Sequence, residues 1–467
     1  MIGAGAGGLA AAAAAAAFGV NVVLVEKGRM GGESRNCGAL PSKVLMAVAE
    51  RAHAMRDGAR FGVKPGRFGV DFAAVRAHVR DVIGAVAPQD SRERFKGLGV
   101  RVIEGEARFT DRQTVAVNGY AIKARRFVIA TGSSPAVPAI PGVAEVPHLT
   151  NETVFDLADC PRHLIVIGAG SVGLELAQTF RRLGAEVTVL EAATPLAGED
   201  AECAAIVLDA LTREGVKLRS GVTITQVRRA LARLQVDISS EAGEETIEGT
   251  HILVAVGRAP NVEDLDLDAA GIRYEINGIV VDRRLRTSNK RVYAIGDVTD
   301  INGLPKSTHL ASHHAGLVVR NALFRTRVKA DRHAVPAVTY TDPELAQVGL
   351  IEDEARAHAG VIRVLRWPYS ENDRAQVTGA TNGHVKIVTD RRGDILGATI
   401  VGAAAAENIA AWALAINQKL NIEALAGVIV PYPSYAEVGK RAAMTYFTHG
   451  LTSPLVRRII GWLRRFG

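Results

Sequence analysis

Two glycine-rich turns, each set at the same distance from an acidic residue, constrain this chain more than any other feature. The first is Gly3-Ala4-Gly5-Ala6-Gly7-Gly8, a GxGxxG pattern. The Ala-rich stretch Ala10–Ala17 follows it with helical character, and the strand-like run Val20–Val25 then ends on Glu26. The second is Gly168-Ala169-Gly170-Ser171-Val172-Gly173, between the strand-like His163–Ile167 and a helix pattern that leads to Glu186–Leu190 and Glu191. In both copies the acid lies eighteen positions after the last glycine. Glycines allow a tight turn and let backbone approach a pyrophosphate, whose charge is favoured at a helix N-terminus, while the acid can bind ribose hydroxyls. One such turn is weak evidence, but two with equal context and spacing are strong.

Each unit also has a later strand that closes on a small-residue turn. Phe127–Gly132 ends on Thr131-Gly132, and Ile252–Arg258 passes through Gly257. A third strand-like run, Arg291–Asp297, closes on Gly296-Asp297.

Composition removes several alternatives. A chain of 467 residues holds two to four domains. The net charge of +7 is dispersed except at the end, where the last seventeen residues carry four arginines and no acid. With no zinc-finger, basic-zipper or RNA-binding signature, no nucleic-acid partner is expected. Cys37, Cys160 and Cys203 are far apart and lack metal-ligand spacing, which excludes a disulfide framework and fits a reducing, cytoplasmic compartment. His309, His313 and His314 cluster without a nearby Cys, Asp or Glu to complete a ligand set, so no metal is expected. Ala10–Ala17 lacks a basic leader and follows a glycine turn, so it reads as a Rossmann helix rather than a signal peptide. No run of about twenty apolar residues marks a membrane span.

Further motifs join the two turns: Ala130-Thr131-Gly132, Gly257-Arg258-Ala259-Pro260-Asn261, Ala294-Ile295-Gly296-Asp297, Pro41-Ser42-Lys43 and Tyr340-Thr341-Asp342-Pro343-Glu344. With them the chain resembles the pyridine nucleotide-disulfide oxidoreductase family over residues 1–450. Dihydrolipoamide dehydrogenase, glutathione reductase and mercuric reductase belong to that family. The resemblance implies an α/β fold with two Rossmann-type dinucleotide-binding domains and an α+β C-terminal dimerisation domain. An FAD domain (residues 1–148 and 271–334) would be interrupted by an NAD domain (149–270). The dimerisation domain (335–450) and a basic amphipathic tail (451–467) would follow.

The resemblance also implies site roles. Gly3, Gly5, Gly8 and Glu26 would hold the FAD pyrophosphate and ribose, with Thr131 and Gly132 in the same site. Asp297 would meet the ribitol and pyrophosphate region, and His309 would start a helix that faces the flavin pyrimidine. Gly168, Gly170, Gly173, Glu191 and Gly257 would hold the nicotinamide nucleotide. Lys43 and Glu175 match a pair beside the reactive flavin nitrogen, where they would order the site and bias its electrostatics. Read without the family, the same two residues are equally well surface charges on helices. The enzyme would be a homodimer in which the dimerisation domain completes the partner's active site.

Two departures from the family pattern coincide. Gly31-Gly32 and Pro41-Ser42-Lys43 fix a register that places Ser34 and Ala39 at the family's two cysteine positions. Cys37 is two residues off the flavin-proximal position, either an incidental small residue or a displaced nucleophile. In Pro431–Glu437 the family's Glu is present as Glu437, but Tyr432 stands where a His would act as acid–base. A phenol with a pKa near 10 does not shuttle protons at neutral pH. Tyr432 is left to donate a hydrogen bond, to stack near the flavin, or to pack at a dimer interface.

The expected function is therefore an NADH:acceptor oxidoreductase that passes electrons from FAD directly to a small molecule such as a quinone. A dihydrolipoamide dehydrogenase- or mercuric reductase-type enzyme working through Cys37 stays open, as does a nucleotide-bound sensor or scaffold without turnover. Glu191, followed by Ala192 and Ala193, predicts NADH over NADPH, because a carboxylate repels a 2′-phosphate and no arginine follows to neutralise it. Only Met1 and Ile2 precede Gly3, where a strand of about five residues is usual. The expectation is a natural start upstream or weak FAD binding. In the tail, Leu455, Ile459, Trp462, Leu463 and Phe466 share one helical face, widened by Val456 and Ile460, opposite Arg457, Arg458, Arg464 and Arg465. That pattern fits peripheral contact with the anionic inner face of a membrane, or packing on the protein's own dimer surface.

Overall fold

The computed structural model describes every residue except Pro65, Arg67, Ala232, Asn302, Gly303, Arg332, His333, Thr452, Ser453 and Gly467, and leaves out the side chains of His449, Leu451 and Leu455. It divides into two compact units, Met1–Thr194 with Gly215–Asp331, and Pro195–Glu214 with Arg332–Gly467.

The first unit contains the two nucleotide-type folds. In one, the parallel order is Val100–Glu104, β1 (Val22–Glu26), Ile2, Phe127–Ile129 and Val292–Ala294, with Ile2 bridging Val25 and Ile129. In the other it is Lys217–Ser220, Glu186–Glu191, His163–Ile167 and His251–Val254, again parallel. Both sheets place the earliest segment in the middle, with the next strand on one side and a late strand on the other. Strand order reverses at that central segment, and each glycine turn leaves from its end, where open α/β sheets bind ligands. The strands are near-continuous apolar runs such as His163-Leu164-Ile165-Val166-Ile167, as sheets covered on both faces require.

Small side chains let the helices approach. Helix α1 (Ala6–Ala17) buries Gly7, Gly8, Leu9, Ala11, Ala12 and Ala15, and packs on the helix Thr308–Leu323. The helix Ser171–Leu183 buries Leu174, Leu176, Ala177 and Phe180. It stops at Gly184 (φ 114°), whose amide bonds Arg181 O while the Ala185 amide bonds Phe180 O. Only glycine adopts that left-handed cap without strain. A three-stranded antiparallel sheet, Thr223–Ala230, Arg233–Ser240 and Gly243–Gly249, is inserted between the nucleotide-type strands.

The second unit is a five-stranded antiparallel sheet, ordered Ala337–Thr339, Glu344–Gly349, Ile395–Gly402, His384–Asp390 and Ile362–Pro368. The helices Ala405–Asn417 and Ala436–Leu451 pack on it over a core that includes Tyr369, Ile387, Ile400 and Trp412. The helix Ala201–Arg213 packs on the same sheet. It is fastened there by Lys386, 5% exposed, whose Nζ lies 2.8 Å from Asp200, 2.9 Å from Glu352 and 3.1 Å from Glu202. Burial alone would lower this ammonium, but hydrogen bonds to the three carboxylates hold it well above the ordinary lysine range. A buried charge persists only with such partners.

The final helix, Pro454–Leu463, leaves its apolar stripe open: Trp462 is 57% exposed and Phe466, just beyond it, 73%. Their rings pack edge-on at 4.8 Å, and Arg457, Arg458, Arg464 and Arg465 are all exposed. Leu455, part of the same expected stripe, lies outside the described side chains. Among the described residues no helix is long and apolar enough to cross a membrane.

Candidate functional site

The two glycine turns match almost atom for atom. Gly3 (φ 97°) and Gly168 (φ 105°) are left-handed, and a Cβ on either would lie 2.4 Å from Ala130 O or 2.5 Å from Ala255 O. A Cβ on Gly8 would sit 1.9 Å from Gly3 O, and one on Gly173 2.1 Å from Gly168 O. The first and last glycines are thus required by close backbone approach. Gly5 and Gly170 are the extended residues preceding each helix. Each acid folds over its own turn. Glu26 accepts from the amides of Ala4 (2.5 Å) and Gly28 (2.8 Å), and Glu191 from Ala169 (2.7 Å) and Ala193 (3.0 Å).

A cavity of about 970 Å³ opens beside the first turn, lined by Gly3, Gly5, Glu26, Thr131, Gly132 and Asp297 among others. Its size lies at the upper end for ligand pockets. Thr131 donates to Asn261 O (2.7 Å) and accepts from Asn261 Nδ2 through its carbonyl (2.9 Å), which ties two chain segments together at the rim. Asp297 accepts from Ser133 Oγ (2.8 Å). Arg258 donates from Nε to Ser133 Oγ (2.7 Å) and from Nη2 to Ser133 O (2.7 Å), and its Nη1 reaches Glu33 at 3.4 Å. Asn151 Nδ2 donates to Glu33 at 2.7 Å. Burial raises the Glu33 carboxyl above its usual range, opposed by Arg258 and assisted by Glu152 and Asp297. Gly257 (φ 125°) starts this arm, its carbonyl accepting from the Ala136 amide at 3.0 Å.

The segment from Gly31 to Lys43 forms the helices α2 (Gly32–Asn36) and α3 (Ala39–Asp57). A Cβ on Gly32 would lie 2.7 Å from Gly5 Cα, so α2 starts directly against the first turn. Ser34 Oγ lies 2.5 Å from Thr308 Oγ1, and Ala39 opens α3. Cys37 is a free thiol on the cavity wall, pushed up to about 11 by burial and by the carboxylates of Glu152, Glu33 and Asp156. On α3, Lys43 Nζ contacts Glu175 Oε2 at 2.6 Å, with the Glu175 side chain 6% exposed on the helix Ser171–Leu183.

His309 lies in the first turn of the helix Thr308–Leu323, with Nε2 3.1 Å from Ser307 Oγ. His314 is buried and accepts from the Gly296 amide through Nδ1 (3.4 Å), and burial drives its pKa down to about 4. Among the described residues no group of His, Cys, Asp and Glu is arranged to hold a metal ion. In the second unit, Tyr432 is 70% exposed and donates to Asp373 at 2.8 Å, while Glu437 accepts from the Ser434 amide at 3.5 Å.

With this geometry in view, residues 1–315 match the pyridine nucleotide-disulphide oxidoreductase family, and residues 335–443 match its dimerisation domain. The chain belongs to this family. It is 35% identical over 449 residues to a mercuric reductase of Lysinibacillus sphaericus, covering 96% of this chain and 82% of the relative. It is 33% identical to a dihydrolipoyl dehydrogenase of Geobacillus stearothermophilus, covering 95% and 94%. LpdA of Mycobacterium tuberculosis superposes with a TM-score of 0.86 at 27% identity, covering 95% of this chain and 98% of that one. The HOCl-induced flavoprotein disulfide reductase RclA of Escherichia coli, solved as a Cu(II) complex, gives 0.85 at 26%, covering 95% and 98%.

Family members bind FAD and NAD(P), so this chain is an FAD-containing, pyridine nucleotide-dependent oxidoreductase, and the dimerisation domain supports a homodimer. The residues present fit the flavin cofactor: a turn that any Cβ would fill, a helix N-terminus behind it, and a cavity of adequate size in front. Sequence reasoning did not single out Glu33, Asn151 or Ser133, and it quoted Arg258 only within a motif. Glu33 directly follows the Gly31-Gly32 pair, the one signal that would have found it.

Proposed function

We propose that this enzyme is a dimeric NADH:acceptor oxidoreductase that delivers electrons directly to a small molecule such as a quinone, without a redox-active disulfide. Residues 1–148 and 271–334 would hold FAD, 149–270 NADH, and 335–450 the dimer. When bound, FAD supplies the hydride acceptor and then the electron donor. The protein's part is binding and order. The first turn, Thr131 and Asp297 hold one dinucleotide, the second turn and Glu191 hold the other, and Lys43 with Glu175 fixes charge between α3 and the neighbouring helix.

One observation carries the reading: the segment between Gly31 and Lys43 offers no thiolate. Ser34 is hydrogen-bonded to Thr308, and Ala39 has no reactive atom. Cys37 is kept protonated by burial and acidic neighbours, the opposite of the electropositive setting a nucleophilic cysteine needs. Anaerobic reduction with NADH should bleach the flavin with no long-wavelength charge-transfer band. Quinones or ferricyanide should be good acceptors, and lipoamide and glutathione disulfide poor ones. A band that disappears in Cys37→Ala would replace this reading with the thiol-dependent one. A holoenzyme that takes hydride from NADH but reduces no acceptor would favour the sensor.

The tail belongs to the same reading. Its exposed Trp462 and Phe466, backed by four arginines, suit an anionic lipid surface, where each arginine contributes on the order of 1 kcal/mol. Two tails per dimer would reinforce each other through effective concentration. Salt-sensitive flotation with anionic vesicles, lost on truncation at Leu451, is the expected result. Equal flotation of full-length and truncated dimers at low salt would remove the membrane from the proposal.

A further inference from the structure

We propose that Glu33 couples FAD loading to proton uptake, so that the enzyme takes up a proton as the cofactor's diphosphate enters and holds FAD more tightly in acid than in alkali. The inference rests on FAD binding by the family and is independent of which acceptor the enzyme reduces.

The geometry places Glu33 where a diphosphate must be noticed. Its helix begins at Gly32, which lies against Gly5 at the foot of the turn. Its carboxylate folds back over Gly38, where any Cβ would lie 2.1 Å from Oε1, and it lines the same cavity as Gly3, Gly5 and Asp297. The charges facing it are unequal. Asp297 and Glu152 are like charges, and the Cys37 thiol is beside it. Arg258 is the opposing cation, 3.4 Å away, but the same guanidinium is bonded to Ser133 and stands 3.9 Å from Asp297. Lys306 faces Asp297 and Arg258, and burial already lowers its ammonium. Asn151 supplies a neutral hydrogen bond. One guanidinium therefore serves two carboxylates before a ligand with about two negative charges arrives. Burial holds Glu33 above the ordinary carboxylate range. A phosphate in the same cavity raises it further, because a like charge disfavours the ionised form.

The direction of the linkage follows. Glu33 has the higher proton affinity in the FAD complex. FAD is therefore bound most tightly at pH values where Glu33 is protonated in both states. Affinity falls as pH rises through the titration of free Glu33, and levels off above its titration in the complex. One coupled proton gives at most a tenfold change in Kd per pH unit.

The test measures FAD released from diluted holoenzyme by its recovered fluorescence, at pH values from about 5 to about 8. Wild type should release several-fold more FAD per unit rise in pH, and Glu33→Gln should release it almost independently of pH. His309, next to the cavity-lining Thr308, is unchanged in that variant and cannot produce the difference. If Glu33→Gln does not fold, wild type alone decides. Adding FAD to full-length protein stripped of its cofactor, in weak buffer with a pH indicator, should consume up to one proton per site. A pH-independent wild type, an unchanged slope in Glu33→Gln, or no proton uptake would each overturn the inference.

Discussion

The two glycine turns are nearly identical as backbone, and they differ in the side chains that surround them. The second ends on Glu191, whose carboxylate accepts from the amides of Ala169 and Ala193, and runs on through Ala192 and Ala193. The first opens on a cavity where Glu33, Glu152 and Asp297 meet Arg258. Backbone geometry of this kind selects a class of ligand, the dinucleotide diphosphate, because glycines alone permit the approach. The side chains outside the turn then decide which dinucleotide binds and under what conditions. A repeated motif in one chain thus separates what the fold supplies from what the site supplies.

Disabling one turn at a time should have the largest effect. A methyl on Gly8 or Gly173 meets a backbone carbonyl oxygen at 1.9 or 2.1 Å, which no rotamer change relieves. Gly8→Ala should weaken FAD binding about a hundredfold or more, roughly 3 kcal/mol, read as colourless protein after desalting. Gly173→Ala should stay yellow and fail to be reduced by NADH in a stopped-flow mixing experiment. If Gly173→Ala also loses FAD, the two turns are not separable sites.

A smaller effect sharpens the contrast between the two acids. NADH should exceed NADPH in kcat/KM by about tenfold or more, since a 2′-phosphate would face the Glu191 carboxylate. Glu191→Ala should narrow that ratio, whereas Glu26→Ala should weaken FAD retention and leave the ratio alone. Equal kcat/KM values for the two nucleotides in wild type would contradict the role given to Glu191.

The smallest effect concerns the link between the turns. Lys43→Met leaves the buried Glu175 carboxylate without that ammonium. Because Lys43 is one-third exposed, the loss should be about 1–2 kcal/mol, below the range for a fully buried pair. A shifted denaturant midpoint at constant slope would measure it. An unchanged midpoint would mean that the pair adds nothing to the stability of the fold, even though Glu175 is buried and not the surface charge that the sequence alone left open.

Periodicity and glycine placement made much of the nucleotide-binding unit legible. The strand after each turn, the Ala-rich helix and the tail helix all carry local patterns that need no tertiary knowledge. The helix α2 was not legible: Gly32-Glu33-Ser34-Arg35-Asn36 is five residues long with no apolar stripe, and it is set by Gly31 in a left-handed conformation. The cluster around Glu33 was hidden for a different reason. Glu33, Asn151 and Arg258 are more than a hundred residues apart in sequence and meet only once the sheet is built. Lys386 was equally invisible, since a lysine in an alternating strand reads as solvent-facing.

The Lys386 cluster also bears on where this chain can be cut. Sequence order assigns the helix Ala201–Arg213 to the stretch between the second turn and the inserted sheet. Yet its capping residue Asp200 is held by a lysine that lies 186 residues further on, in the sheet of the second unit. A fragment ending at Asp331 would keep the helix but lose the surface that buries it. It would also strand Asp200 and Glu202 without their shared cation. The division useful to an engineer therefore follows that ammonium rather than the order of the motifs. A cut that respects it must carry residues 195–214 along with the C-terminal sheet.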